Sequence, residues 1–325
     1  MEDLNLAKLP KYLSDETKAW ALLERLRWPD GEPVCPHCGT KDAAHYLLKA
    51  RNGTRETRMG NVSYRRIWKC RNKACRRQFS VLVGSIFESS KIPVSKWLLA
   101  IWLTGAGKNG VSALELQRHL GIAYQSAWFM SHRLRESMKR EPVASMFSGV
   151  VVADETFVGG APRNRHGYKP GRGGQGVTDK TPVLALISKD TGMARTRVVT
   201  DVTGATLRKA MAHYVDMPNT VLHTDGAKSY ESISAEFAAH ESVDHFSGEY
   251  VRGDVTTNDA ESFFSQFKRS LNGTFHNVSK EHLGRYVDEF EFRWNTRKVS
   301  DAKRVQTLID GAAGRRLTYR PLTGR

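Results

Sequence analysis

Apolar positions recur in two rhythms along the chain, helical in the first half and strand-like in the second. Asp15 to Arg27 reads as a helix that Ser14 can cap. Trp20, Leu23 and Arg27 fall at helical spacing, Leu22 and Leu26 lie alongside, and Trp28-Pro29-Asp30-Gly31 ends the run. Lys91 to Thr104, rich in Leu and Trp, predicts a second helix. Val111 to Met138 then predicts helix, break and helix: Ser112 and Glu115 fit a capping box, Gly121 permits the turn, and Ala127, Met130 and Leu134 form the next buried stripe.

From Gly149 the rhythm changes. Gly149 to Gly160, GVVVADETFVGG, is an apolar run broken by two neighbouring acids, Asp154 and Glu155. Ala161 to Lys180 carries five Gly and five Lys or Arg and reads as a mobile basic loop. Thr181 to Ser188 and Ala194 to Thr200 predict a hairpin about Asp190-Thr191-Gly192. A helix over Thr206 to Val215 and a strand over Thr220 to Thr224, ending at Asp225-Gly226, come next. Then follow a helix over Ser232 to Ala239, a short strand over Glu241 to Phe246, a loop over Ser247 to Thr257, and helices over Asn258 to Leu271 and Lys280 to Lys298. Strand, hairpin, helix, strand is the opening order of a ribonuclease H-like fold. The chain therefore predicts a multidomain α/β protein: an N-terminal helical segment (1–30), a zinc ribbon (31–83), a helix-turn-helix region (84–147), a ribonuclease H-like catalytic domain (148–300) and a basic C-terminal tail (301–325).

Charge narrows the partners. Among 325 residues, 50 Lys and Arg face 34 Asp and Glu, a net charge of +16. Such a balance points to a polyanion, and double-stranded DNA is the expected partner. The start, MEDLNLAKLPKYL, carries acids and lacks the apolar core of a signal peptide, and the longest strongly apolar run, Trp97 to Leu103, is far short of the ~20 residues of a membrane span. The expectation is a soluble, cytoplasmic, nucleoid-associated protein without membrane contact.

Four cysteines form two close pairs, Cys35-Pro36-His37-Cys38 and Cys70 with Cys75, separated by 31 residues. Without an export signal, metal binding is a better expectation than disulfides, and two thiolate pairs can close a tetrahedron around one structural Zn2+. His37 is a bystander. The second pair is spaced C-x4-C and requires a looser knuckle. Arg65 to Arg77 contains seven Lys or Arg and no acid, interleaved with Tyr64, Trp68 and Phe79. Arg66 and Lys69 are therefore expected on phosphates. In the helix-turn-helix, Tyr124, Gln125, Ser126, His132, Arg133 and Arg135 are the expected groove and phosphate contacts.

The acids carry the chemistry. Strand alternation puts Val150, Val152 and Asp154 on one face and Val151, Ala153 and Glu155 on the other, so the two acids cannot both point inward. Asp154 corresponds to Asp225, the acid that ends the other strand. For a third carboxylate Asp259 and Glu261 compete, with Glu249 and Asp254 as outsiders in the loop. Asn258, Glu261, Ser265 and Lys268 share a helix face. Three carboxylates at one sheet edge suit two hard cations, which can activate water and stabilise the leaving oxygen of a phosphodiester.

These motifs, with HTDGAKSY, GEYVRGDVTTNDAESFFSQFKRSLNGTFHNVS and YVDEFEFRWNTR, resemble the zinc-ribbon, ISXO-like branch of DDE insertion-sequence transposases over roughly Leu22 to Arg297. The resemblance implies that Asp154, Asp225 and Glu261 bind two Mg2+ or Mn2+ ions. It implies that Asn258 accompanies the acid, and that Lys268, with Arg269 beside it, contacts terminal DNA. The implied reaction frees a 3′ hydroxyl at an element end and transfers it into target DNA. The N-terminal modules would recognise terminal inverted repeats, and a homo-oligomer would hold paired ends. Two alternatives stay open: a nuclease that cuts without joining, and an inert zinc-dependent DNA-binding regulator.

Overall fold

The computed structural model describes residues 7–48, 53–56, 62–139, 146–159, 180–244 and 247–323. The chain divides into two compact units, Met1–Met138 with Val299–Arg325, and Lys139–Lys298. In the first, a short turn α1 (Pro10–Leu13) leads into α2 (Glu16–Arg27). Asp15, not Ser14, caps α2, its carboxylate accepting from Thr17 N at 2.9 Å and Lys18 N at 3.4 Å. A charged acceptor at the positive end of the helix dipole serves there better than a hydroxyl one residue too early. Five short strands follow: β1 (Tyr46–Leu47), β2 (Gly53–Glu56), β3 (Val62–Arg65), β4 (Trp68–Lys69) and β5 (Gln78–Phe79). β4 pairs antiparallel with β1 and β5, and β2 with β3. Trp28 packs edge-on against Trp68 and Phe79, ring centroids 6.3 Å apart in each pair.

The next helix, α3 (Val94–Ala106), begins after Pro93 rather than at Lys91. The Glu16 carboxylate accepts from Val94 N at 2.5 Å and Ser95 N at 3.1 Å, satisfying amide donors that the helix itself leaves open. α4 (Ala113–Leu120) starts on Ser112, whose hydroxyl accepts from Glu115 N at 3.1 Å, and ends on Gly121 at φ +56°. α5 (Tyr124–Met138) follows directly and packs against α4.

The second unit is built on a mixed five-stranded sheet. Its strands are β6 (Phe147–Val158), β7 (Thr181–Ser188), β8 (Ala194–Val198), β9 (Val215–Thr224) and β10 (Ala239–Ser242), in the order β10-β9-β6-β7-β8. β6 is central, parallel to β9 and antiparallel to β7. Residues 161–179 of the expected basic loop lie outside the described residues. A register shift between Phe147 and Gly149 puts Gly149 at φ +72°, where a Cβ would stand 2.1 Å from the Asp190 carboxylate. Only glycine fits there.

Two expectations change. α6 spans Gly204–Met211, and Val215 opens β9 instead of closing the helix. Phe147 N donates to Tyr214 O at 2.7 Å, drawing the chain into the sheet before another helical turn can form. The helix expected over Ser232 to Ala239 is instead α7 (Lys228–Glu231) and a 3-10 turn at Ser234–Glu236. Phe237 must already be extended, because the chain enters β10, parallel to β9, at Ala239.

Alternation along β6 sorts two cores. Val151 and Ala153 join Leu184, Leu186, Leu207, Met211, Leu222 and Tyr230 on one face. Val152 joins Ala185, Ile187 and the apolar stripes of α8 (Asn258–Ser270) and α9 (Lys280–Asn295) on the other. A π-type turn, Leu271–Phe275, and His276 at φ +58° connect those two helices. Residues 301–325, read from sequence as a tail, include α10 (Asp301–Asp310) and α11 (Tyr319–Thr323). α10 buries Val305, Leu308 and Ile309 and packs on α2, α3 and α5, completing the first unit. Among the described residues no helix is long and apolar enough to cross a membrane.

Candidate functional site

Among the described residues, the four cysteines and the acids at the strand ends are the candidate metal-ligating side chains. In the first unit, the ligand atoms of Cys35, Cys38, Cys70 and Cys75 lie within 4.8 Å of one another. Cys35 Sγ is 3.8 Å from Cys75 Sγ, and Cys38 Sγ is 3.6 Å from Cys70 Sγ. The first knuckle closes by Gly39 N donating to Cys35 O and Cys35 N to Thr40 O, both 2.9 Å. The wider second pair is taken up by an Asx turn: Asn72 Oδ1 accepts from Ala74 N, Asn72 O accepts from Cys75 N and Arg76 N, and Arg76 sits at φ +48°. Two extra residues thus make a turn without spreading the sulfurs.

Burial pushes the Cys70 thiol up to about 12, whereas the Thr40 hydroxyl, 3.3 Å from Cys38 Sγ, draws that thiol down to about 6. Four converging thiols fit Zn2+, whose charge would favour the thiolates that burial opposes. His37 stands outside the group, its Nε2 3.2 Å from Gln78 O.

The acids stand at the parallel pair in the middle of the large sheet. Val152 pairs with His223, and two residues further each strand reaches an acid, Asp154 and Asp225. Both are half-buried. Asp225 Oδ1 accepts from Ala227 N at 3.1 Å, and Asp154 Oδ1 from Glu155 N at 2.7 Å. Glu261 lies in the first turn of α8, exposed, and its Oε1 accepts from the Thr257 hydroxyl at 3.3 Å. α8 packs on β6 and β7 through the face that carries Ala260, Phe263 and Phe267. Val152 lies on that side of the sheet, so alternation assigns Asp154 to it as well. Hard carboxylate oxygens suit Mg2+ or Mn2+. Among the described residues, however, only the cysteine group gathers its donors to ligand spacing.

Sequence reasoning set Glu155 aside, yet it belongs to this region. It is half-buried on the Val151 face, and its Oε1 accepts a hydrogen bond from the Tyr230 hydroxyl. Burial pushes its carboxyl up to about 7; the Tyr230 bond opposes that, and the nearby Asp154 and Asp225 charges add to it. Tyr230 is fully buried, and burial beside Glu155 raises its own pKa well above the usual value. Alternation was the available signal: an acid that follows Val151 and Ala153 inward requires a partner.

The expected DNA contacts divide. Lys268 and Arg269 are exposed on the last turn of α8, and Arg71, Lys73, Arg76 and Arg77 are exposed on the ribbon, with Lys69 half-buried. Arg66 is taken up by Glu24, at 2.8 Å, and lies over Trp68. Arg133, Arg135 and His132 are buried, which corrects the expectation that they reach a groove. Arg133 Nε donates to Leu317 O at 3.3 Å, Nη2 donates to Glu88 O, and the guanidinium lies over the Phe129 ring. Because α5 is packed between α4 and α10, its exposed positions are at its start, Tyr124 and Gln125.

Comparison with known proteins adds independent findings. Residues 146–295 match the model of the ISXO2-like transposase domain, and residues 14–78 that of the transposase zinc-ribbon domain. An uncharacterized protein in transposable element ISH50 of Halobacterium salinarum is 27% identical over 311 residues, 93% of this chain and 98% of its own length. An uncharacterized transposase-like protein of Haemophilus influenzae is 28% identical over 118 residues, 36% of this chain and 94% of its own length.

Proposed function

Because the chain belongs to the zinc-ribbon, ISXO2-like family of insertion-sequence transposases, we propose that it cuts DNA at element ends and joins the freed 3′ hydroxyl to target DNA. The observation that carries the chemistry is the parallel register: Asp154 and Asp225 follow the Val152–His223 pair at equal distance, and the helix bearing Glu261 packs on β6. The order β10-β9-β6-β7-β8, with the first three strands parallel and β7 antiparallel to both its neighbours, supports a ribonuclease H-like reading of the catalytic domain.

In this reading Asp154, Asp225 and Glu261 hold two Mg2+ or Mn2+ ions, with Glu261 preferred to Asp259 because the family resemblance implies it. When bound, the ions lower the pKa of the attacking water or hydroxyl and neutralise the leaving oxygen. Thr257 restrains the Glu261 carboxylate. Exposed Lys268 and Arg269, on the same helix, meet the phosphates of the terminal DNA. The ribbon, held by Zn2+, presents Lys69 and its exposed arginines to the repeat. α4, the Gly121 turn and α5 act as a helix-turn-helix through Tyr124 and Gln125. A homo-oligomer of the chain holds the paired ends.

The test uses zinc-loaded protein, a labelled element end and Mg2+. Nicking followed by joined products is expected, and nicking that never yields joined products would favour a nuclease without transfer. Asp154→Asn, Asp225→Asn and Glu261→Gln should each abolish both steps while leaving end binding intact. Retained cleavage in any one removes that residue from the site.

A further inference from the structure

Glu155 and Tyr230 come from the two segments that carry the strand acids. Glu155 follows Asp154 on β6, and Tyr230 lies five residues beyond Asp225, at the end of the turn that leaves β9. Their hydrogen bond joins those segments on the face opposite α8. Tyr230 is anchored in turn: it is fully buried among Val151, Ala153, Leu207 and Leu222, and its amide donates to Ala227 O at 3.0 Å. Ala227 is the residue whose amide holds the Asp225 carboxylate. One chain of contacts therefore runs from Glu155 through Tyr230 and Ala227 to Asp225, while Glu155 N holds Asp154 Oδ1. A half-buried carboxylate is costly to desolvate, and the Tyr230 hydrogen bond offsets part of that cost.

Resting on the reading that Asp154 and Asp225 bind divalent cations, we propose that Glu155 is a positioning residue for that site. Clamped by Tyr230, it fixes the two acids relative to each other and adds a third negative charge behind them. It does not itself touch the reacting atoms. Two functions are separable by substitution. Glu155→Gln keeps an oxygen to accept the Tyr230 hydrogen bond and removes the charge; Tyr230→Phe keeps the charge and removes the bond.

The experiment measures Mn2+ binding to the full-length, zinc-loaded chain by electron paramagnetic resonance at pH 8. Asp154→Asn is the reference and near-ultraviolet circular dichroism the fold check. Glu155→Gln is expected to weaken Mn2+ binding by between roughly fivefold and twentyfold, the scale of losing one unit charge several ångströms from a divalent cation in partly wet surroundings. Tyr230→Phe is expected to weaken it to a lesser but measurable degree. If Asp154→Asn weakens binding while Glu155→Gln and Tyr230→Phe match the parent, the positioning role is overturned and the acid site stands. If Asp154→Asn itself leaves Mn2+ binding unchanged, the underlying site reading fails instead. Should Glu155→Gln not fold, Tyr230→Phe alone carries the comparison.

Discussion

Single side chains in this protein do work that their charge alone does not announce. Glu289 and Arg293 form an ion pair buried within α9, with Arg293 Nε donating to Glu289 Oε1 at 3.1 Å. Removing one partner strands the other, so Glu289→Ala should lower unfolding stability by about 3–5 kcal/mol in denaturant titrations. Glu291 differs in role: it accepts from Thr196 N at 2.8 Å and from the Thr196 hydroxyl at 3.0 Å, pinning α9 to β8. Asp201 sits ahead of α6, and hydrogen bonds from Thr203 and Thr206 hold its carboxyl below the usual range. Its folded form binds fewer protons than its unfolded form. The stabilisation is therefore present above pH 3.8 and fades as pH falls below it. Asp201→Ala should melt at a lower temperature than the parent at pH 7, and that gap should close as melts are repeated at progressively lower pH.

At the scale of elements, turns decide where side chains go. The Asn72 turn lets a C-x4-C pair meet a C-x2-C pair, with Arg76 bearing a left-handed backbone at φ +48°. Arg76→Gly should stabilise the zinc-loaded protein by up to about 1 kcal/mol, read as a rise in melting temperature. Removing Zn2+ with a chelator should unfold the ribbon, because binding energies of order 10–16 kcal/mol constitute most of the folding energy in such small modules. Circular dichroism and loss of end binding would register it. In the sheet, Gly149→Ala should cost about 1–3 kcal/mol, since the new Cβ meets both the strained φ and the Asp190 carboxylate. Strands β6 and β7 and the α8 and α9 helices were legible from periodicity because each has one strongly apolar face or run. The start of β9 was not, because the interaction that draws Tyr214 out of a helix comes from Phe147, far away in sequence.

At the scale of the whole chain, the last 27 residues change in meaning from Val299 onward. Their basic composition hid a helix whose apolar residues, Val305, Leu308 and Ile309, belong to the first unit. Each contributes roughly 1.5–3 kcal/mol on burial. Truncation after Lys298 should therefore unfold the first unit and abolish end binding, while strand signals of the second persist; limited proteolysis would reveal which fragment survives. The net charge of +16 makes DNA affinity steeply salt-dependent, with log K falling about 0.9 per log unit of salt for each phosphate neutralised. Lys268→Ala and Arg269→Ala should reduce that slope, whereas Arg133→Ala should act on stability, because Arg133 is buried.

Spacing and period along the chain were enough for the four-cysteine set, the family likeness, the central strand and the split of Asp154 from Glu155. Each depends on local spacing or period, which the chain carries wherever it folds. Folding settled which basic residues remain at the surface, that the final segment completes the first unit, and that Glu155 is held by Tyr230. Those outcomes depend on burial and on partners brought together from distant positions, and neither is written in any single stretch. The basic residues make the contrast clear: Arg133 and Lys268 both lie on helices, but α5 is covered on two sides by other helices, while the Lys268 face of α8 is open.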